Sequence, residues 1–251
     1  MTSFALLNHL AKANSIEVLW PAFCEEMAKF GFDRLIYGLT QFGTRNSIGD
    51  PEDCLILSNH DPRYLDWFIG ENGYQNAPMV RWALENDGAV SWQVLQEMLA
   101  TGALSRSEAE IVERNRAFGV SAGYTVSFNS VTPRAKAAIA ITAREGMGQP
   151  EVDEIWKEHS DALLALNNML HLKVLSLPRY VPGRRLTRRQ IEALHWIGHG
   201  KTTADAAKIM NLAPATVEKH LRLARDVLAV ETTAQAVLKA SLHNQIFIVD
   251  L

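Results

Sequence analysis

Between positions 216 and 225, Thr216, Lys219, His220, Arg222 and Arg225 can all donate hydrogen bonds or positive charge. At helical spacing they share one side of a segment whose other side is Val217, Leu221, Ala224 and Leu228, three and four residues apart. Such a face can neutralise phosphates and present donors to base edges, which is binding chemistry and not catalysis. The plainer alternative is a solvated basic face on a small helical bundle. A second concentration is aromatic. Tyr64, Trp67 and Phe68 recur at helical spacing, and Tyr74, Pro78, Met79, Trp82 and Trp92 follow. They read either as a packed core, which periodicity alone favours, or as the lining of a ligand pocket. His195 and His199 lie four apart and could share a metal, but no third ligand is near, so surface or structural histidines are the better reading. The chain has no G-x-S-x-G elbow, no Walker loop, no G-x-G-x-x-G after a strand and no Cys/His set at zinc spacing. No catalytic residue, metal or cofactor is expected, and the chain does not read as an enzyme.

The elements that carry the basic face run from Leu186 to Leu228. Thr187 with Gln190 three residues on makes a capping box that opens a helix, Ile191, Leu194 and Ile197 form its apolar stripe, and Gly200 ends it. A second helix starts at Thr202 or Thr203, carries Ala206, Ala207, Ile209 and Met210 inward, and stops at Asn211. Pro214 opens the third helix, which bears the basic residues. Two helices joined by a three- or four-residue turn, the second basic on its outer side, suit a reader of the DNA major groove. Ala236, Val237 and Ala240 indicate a fourth helix within residues 233–245.

Upstream, residues 3–30 show helical periodicity at Phe4, Leu7, Leu10, Ile16, Leu19, Phe23 and Met27, with Pro21 marking either a kink or a fresh start. Strands are expected at 32–42 and 54–58, with a loop at 43–53 between them. Asn59–Asn72 reads as a helix capped by Asn59 or Asp61, and 93–117 as one or two amphipathic helices with Glu108, Glu110, Glu113, Arg114 and Arg116 in solvent. Strands at 122–128 and 136–143 form a hairpin through the turn 129–134. A long helix spans 151–175, apolar at Ile155, Leu163, Leu166, Leu170 and Leu175, serving as core or partly as a dimer seam. Ser176 to Arg185, with two prolines and a glycine, reads as a linker whose three arginines either touch phosphates or stay in water.

Composition fits two modest globular cores: 251 residues, 47% hydrophobic, 21% charged, net charge −3. The charge is uneven, since residues 176–251 hold 11 Lys+Arg against 6 Asp+Glu while residues 1–175 hold 14 against 22. An acidic front and a basic back fit a sensor joined to a DNA-binding module. Two cysteines, Cys24 and Cys54, are too few for a disulfide framework, and a reduced, cytoplasmic setting is the expectation. No apolar run is long enough for a membrane span, and the N-terminal residues show no basic region followed by an apolar stretch.

Leu186, Thr187, Arg189, Glu192, Leu194, Trp196, Gly200, Lys201 and Thr202, followed by Thr216, Val217, Glu218 and His220, resemble the C-terminal DNA-binding domain of LuxR-type transcription regulators. Gln190, Ala213, Leu223 and Val227 depart from that pattern, where Glu, Ser or Thr, Asn and Lys are usual. The segment from Asn59 to Trp92 resembles the part of LuxR-type autoinducer-binding domains that wraps an acyl-homoserine lactone. The resemblance puts Tyr64 where a Trp usually donates to the lactone carbonyl, Phe68 where an aromatic meets the acyl chain, and Trp92 on a matching Trp. Ala77 stands where an Asp usually accepts the ligand amide N–H. Met79 and Ala140 complete the candidate ligand residues, and Thr202, Thr216, Lys219, His220, Arg222 and Arg225 are the candidate DNA contacts. A methyl at Ala77 cannot accept a hydrogen bond, which implies about tenfold to a hundredfold weaker lactone binding. Tyr64 keeps a donor toward the lactone end. That one letter marks a changed ligand, a shifted pose or a domain that folds without ligand.

The expectation is an α+β protein. Residues 1–175 form an α/β/α sandwich on an antiparallel sheet, 176–185 a linker, and 186–251 an all-α four-helix helix-turn-helix domain. It would sense a small molecule such as an acyl-homoserine lactone or a variant of it, and bind a partly palindromic double-stranded DNA operator as a homodimer. The alternative is a ligand-independent regulator, or an interaction protein that sequesters a related regulator by heterodimerisation. A phosphorylation-controlled receiver is disfavoured because the front half lacks alternating β and α signals.

Overall fold

The structure, a computed structural model, describes residues 3–41, 53–128, 135–180 and 185–247, with side chains from residue 7 onward. The turn expected at 129–134, most of the loop at 43–53, the Phe4 side chain and residues 181–184 of the linker lie outside these. The chain divides into two compact units, Met1–Leu175 and Ser176–Leu251.

The first unit is built on a five-stranded antiparallel sheet: β1 (Phe32–Thr40), β2 (Leu55–Ser58), β3 (Gly88–Ser91), β4 (Gly123–Phe128) and β5 (Lys136–Ala143), in the spatial order β2-β1-β5-β4-β3. Strand alternation sends Leu35, Tyr37, Leu39, Tyr124, Val126, Phe128, Ile139 and Ile141, all buried, to one face. There they meet α2 (Ile16–Lys29) and the long α7 (Gln149–Ser176): Tyr124 stacks on Trp156, and the Tyr37 hydroxyl lies 2.8 Å from His171 Nδ1. The other face presents Ile36, Gly38, Thr125, Ala138, Ala140 and Thr142. It is covered by α3 (Pro62–Leu65), α4 (Pro78–Glu85), α5 (Gln93–Thr101) and α6 (Arg106–Ala117). The result is the α+β fold with an α/β/α sandwich that the sequence indicates.

Several local expectations need correction. The N-terminal helical run breaks between α1 (Ser3–Ala11) and Ser15, whose extended backbone precedes α2, and Pro21 sits inside α2, so it does not mark a fresh start. Its missing N–H is tolerated because Leu19, Phe23 and Met27 are fully buried on the same helix. The helix expected over Asn59–Asn72 is only α3, capped by Asp61, followed by a π-helical turn at Asp66–Gly70. Asn59 is not the cap: its side chain bonds the backbone of Asp33 and Leu35. The short β3, α4 and a 3₁₀ turn at Gly73–Asn76 carry too little periodicity to be read from sequence. Glu108 is not solvated but buried; it closes a capping box with Ser105 and pairs with Arg81. On α7 the buried apolar positions are Val152, Leu163, Leu166, Leu170 and Val174, whereas Ile155 and Leu175 are half-buried.

The second unit contains α8 (Arg188–Gly198), α9 (Thr203–Met210), α10 (Pro214–Leu228) and α11 (Thr233–Leu242). Thr187 with Gln190, Thr202 with Asp205 and Thr232 with Gln235 each form a capping box. Val217, Leu221, Ala224 and Leu228 are buried against Ala193, Leu194, Ala206, Ala207, Met210, Ala236 and Ala240. Ile209, expected inward, is 46% exposed, because the short α9 turns only Ala206, Ala207 and Met210 to the core. Among the described residues no helix is long and apolar enough to cross a membrane.

Candidate functional site

A cavity of about 200 Å³ lies between the sheet and the helices covering its second face. Tyr64, Phe68, Ala77, Met79, Trp92 and Ala140 all line it, together with Ile36, Leu95, Val120 and others. Asp61 and Asp66 do not; both are exposed, and Asp61 instead caps α3 and pairs with Arg63. The wall is a ring cluster. Tyr64 stacks on Phe68 (centroids 5.3 Å apart) and on His60 (4.6 Å), and meets Phe118 edge-on. Trp67, on the same segment, packs away from the cavity, stacked on Phe118 with the Arg114 guanidinium over its ring. Trp92 reaches its place because Gly123 has no side chain: a Cβ there would come within 2.2 Å of the Ile141 carbonyl and 3.0 Å of the Trp92 ring.

The polar atoms of the wall divide into paired and unpaired. Tyr64 donates its hydroxyl to Asn115 Oδ1 at 3.2 Å, so the donor expected to face the lactone end is already committed. Burial also raises the Tyr64 phenol well above its ordinary pKa. Trp92 donates its indole N–H to Thr125 Oγ1 at 2.9 Å. Two wall atoms, His60 Nε2 and Thr142 Oγ1, are buried and have no hydrogen-bond partner. Burial first, and the Arg34 charge second, lower the His60 pKa to about 4, so its ring is neutral near pH 7. The sequence reading missed His60, Asn115 and Thr142. Thr142 had a signal, since it lies two residues beyond Ala140 on one strand and therefore on the same face.

In the second unit, α9 and α10 are joined by Asn211, Leu212 and Ala213, with Asn211 in the left-handed conformation (φ 54°). Lys219 and Arg222 are exposed on α10, Arg222 within 3.4 Å of Asp226, while Thr216 and His220 are half-buried. Arg225 donates to Thr233 at 2.8 Å and lies 3.5 Å from Glu218, so part of its fork holds α10 to the start of α11. The Thr202 hydroxyl caps α9 and is 2.6 Å from Asp205 Oδ2. Ala213 supplies no side-chain cap, and Val227 packs against the core. His195 and His199 rings lie 4.3 Å apart beside Phe247, and among the described residues no group of three or more metal-ligating side chains forms.

Comparison with known proteins agrees with both units. The autoinducer binding domain family matches residues 15–174, and the family of bacterial regulatory proteins of luxR type matches residues 184–240. The chain belongs to the LuxR-type, autoinducer-binding transcriptional regulators. It is 26% identical to the transcriptional activator protein BjaR1 of Bradyrhizobium diazoefficiens over 86% of this chain and 84% of that one. It is 21% identical to the transcriptional activator protein LuxR of Aliivibrio fischeri over 77% and 76%. In fold it is similar to the N-acylhomoserine lactone dependent LuxR family factor CepR2 from Burkholderia cenocepacia, with a TM-score of 0.53, 15% identity and coverage of 69% and 96%. A structure of SdiA in complex with octanoyl-rac-glycerol gives the same TM-score and identity, covering 96% and 93%.

Proposed function

We propose that this regulator binds a small molecule in the first unit's cavity and binds a partly palindromic operator as a homodimer through α10. The observation that carries the reading is the convergence of Tyr64, Phe68, Ala77, Met79, Trp92 and Ala140, drawn from four separate segments, on one apolar cavity. Apolar walls with a few polar groups are the usual form of a small-molecule site. Residues 1–175 act as sensor, 176–185 as linker and 186–251 as DNA reader, with Thr202, Thr216, Lys219, His220, Arg222 and Arg225 facing DNA. Ligand stabilises the sensor by mass action and shifts the population toward the DNA-competent dimer.

Thermal unfolding with short, long and aryl acyl-homoserine lactones and with octanoylglycerol tests the cavity. Saturation at a hundred times Kd adds about 2.7 kcal/mol, a midpoint rise of roughly 5–10 °C. A gel shift against genomic fragments tests the reader: specific binding that resists competitor DNA is expected, and a footprint without dyad symmetry would count against the dimer.

A further inference from the structure

We infer that the cavity selects an uncharged, mainly apolar ligand with a hydroxyl or ketone oxygen at one end, received by His60 and Thr142, and not a ligand anchored through an amide N–H. The inference rests on the reading of the cavity as the sensor site. Its basis is the pair of unsatisfied atoms, because a buried polar group without a partner costs the folded protein its lost hydration. His60 is 7% exposed and Thr142 fully buried, so bulk water does not restore what is missing.

The two groups lie toward the same end of the cavity. Thr142 on β5 sits directly opposite Arg34 on β1, and His60 follows Asn59, whose backbone N–H bonds the carbonyl of Leu35, the next residue of β1. The Arg34 guanidinium is itself occupied, bonded to the carbonyls of Phe118, Gly119 and Ala143 and to Asp33, so it does not reserve a cation for an anionic ligand. A neutral imidazole nitrogen donates or accepts according to its tautomer, and the Thr142 hydroxyl does both. A hydroxyl can bridge either tautomer of His60 to Thr142, and a ketone oxygen can accept from both when Nε2 carries the proton. At the amide position Ala77 offers only a methyl group, while the donors of Tyr64 and Trp92 are already spent on Asn115 and Thr125.

The test measures binding of 1-octanoylglycerol and N-octanoyl-homoserine lactone, which share an eight-carbon acyl chain, to the full-length protein. Octanoylglycerol is expected to bind at least tenfold more tightly. His60→Phe and Thr142→Val should each weaken it about tenfold, and Thr142→Ser, which keeps the hydroxyl, should retain it. Both apolar variants should also raise the unliganded midpoint by about 2–4 °C, since each removes a buried unpaired group. Ala77→Asp should reverse the preference toward the lactone. Lactone binding at least as tight as octanoylglycerol, or octanoylglycerol binding indifferent to Thr142→Val and His60→Phe, would overturn the ligand class and leave the cavity as a sensor. Binding of neither probe, with Ala77→Asp gaining no lactone affinity, would overturn both.

Discussion

In the helix-turn-helix unit three of the four helix starts are fixed by contacts three residues long, Thr187 to Gln190, Thr202 to Asp205 and Thr232 to Gln235. In the cavity no such local rule operates. Ile36, His60, Tyr64, Trp92, Asn115 and Thr142 meet only because five strands register and four helices close over them. The difference teaches where each unit is vulnerable. The reader depends on its small core and caps, and the sensor on long-range packing that leaves two polar atoms of the cavity wall unpaired.

The largest effect that would sharpen this contrast is a core truncation in the reader. Leu194 is fully buried at the centre of α8's inner face, so Leu194→Ala should destabilise that unit by about 2–5 kcal/mol. Hydrogen exchange resolves it by unit, and equal loss of protection throughout the β-sheet would break the distinction between independent cores.

Acidification should act mainly on the sensor. His60 and His171 both have folded pKa values lowered to about 4, His171 by burial, against about 6.5 when unfolded. Their neutral burial favours the fold above the unfolded value, and that contribution is lost as pH falls from about 6.5 toward 4. By pH 5 the loss is about 2 kcal/mol per histidine. A sheet-unit midpoint that is unchanged between pH 7.5 and pH 5 would contradict this.

A smaller gain should come from restoring the cap that α10 alone lacks among α8 to α11. Ala213 precedes Pro214 with extended backbone and no side-chain bond, so Ala213→Ser should stabilise the reader by about 1 kcal/mol, measured by urea unfolding. No gain would mean that α10 is held wholly by its buried face. The least effect is on affinity alone. Lys219→Ala should weaken operator binding evenly across sequences and reduce the salt slope by about 1 with no change in unfolding. Loss of discrimination between operators would instead place Lys219 on a base edge.

What the sequence determined by itself is whatever short-range chemistry dictates. The capping box at Thr187, the left-handed stop at Asn211, the buried face of α10 and the long helix before the linker were legible, because 3.6-residue periodicity and cap chemistry act within a turn or two. Among the cavity residues, Tyr64, Phe68, Ala77, Met79, Trp92 and Ala140 were legible as candidates mainly through the resemblance, because the aromatic spacing alone favours a packed core. Only the tertiary structure decided that Tyr64 spends its donor on Asn115, that Glu108 leaves water for Arg81, and that His60 and Thr142 are left to face the cavity. The physical reason is that hydrogen-bond satisfaction belongs to pairs of groups: which partner a buried donor finds depends on strand register and helix packing between residues far apart in the chain.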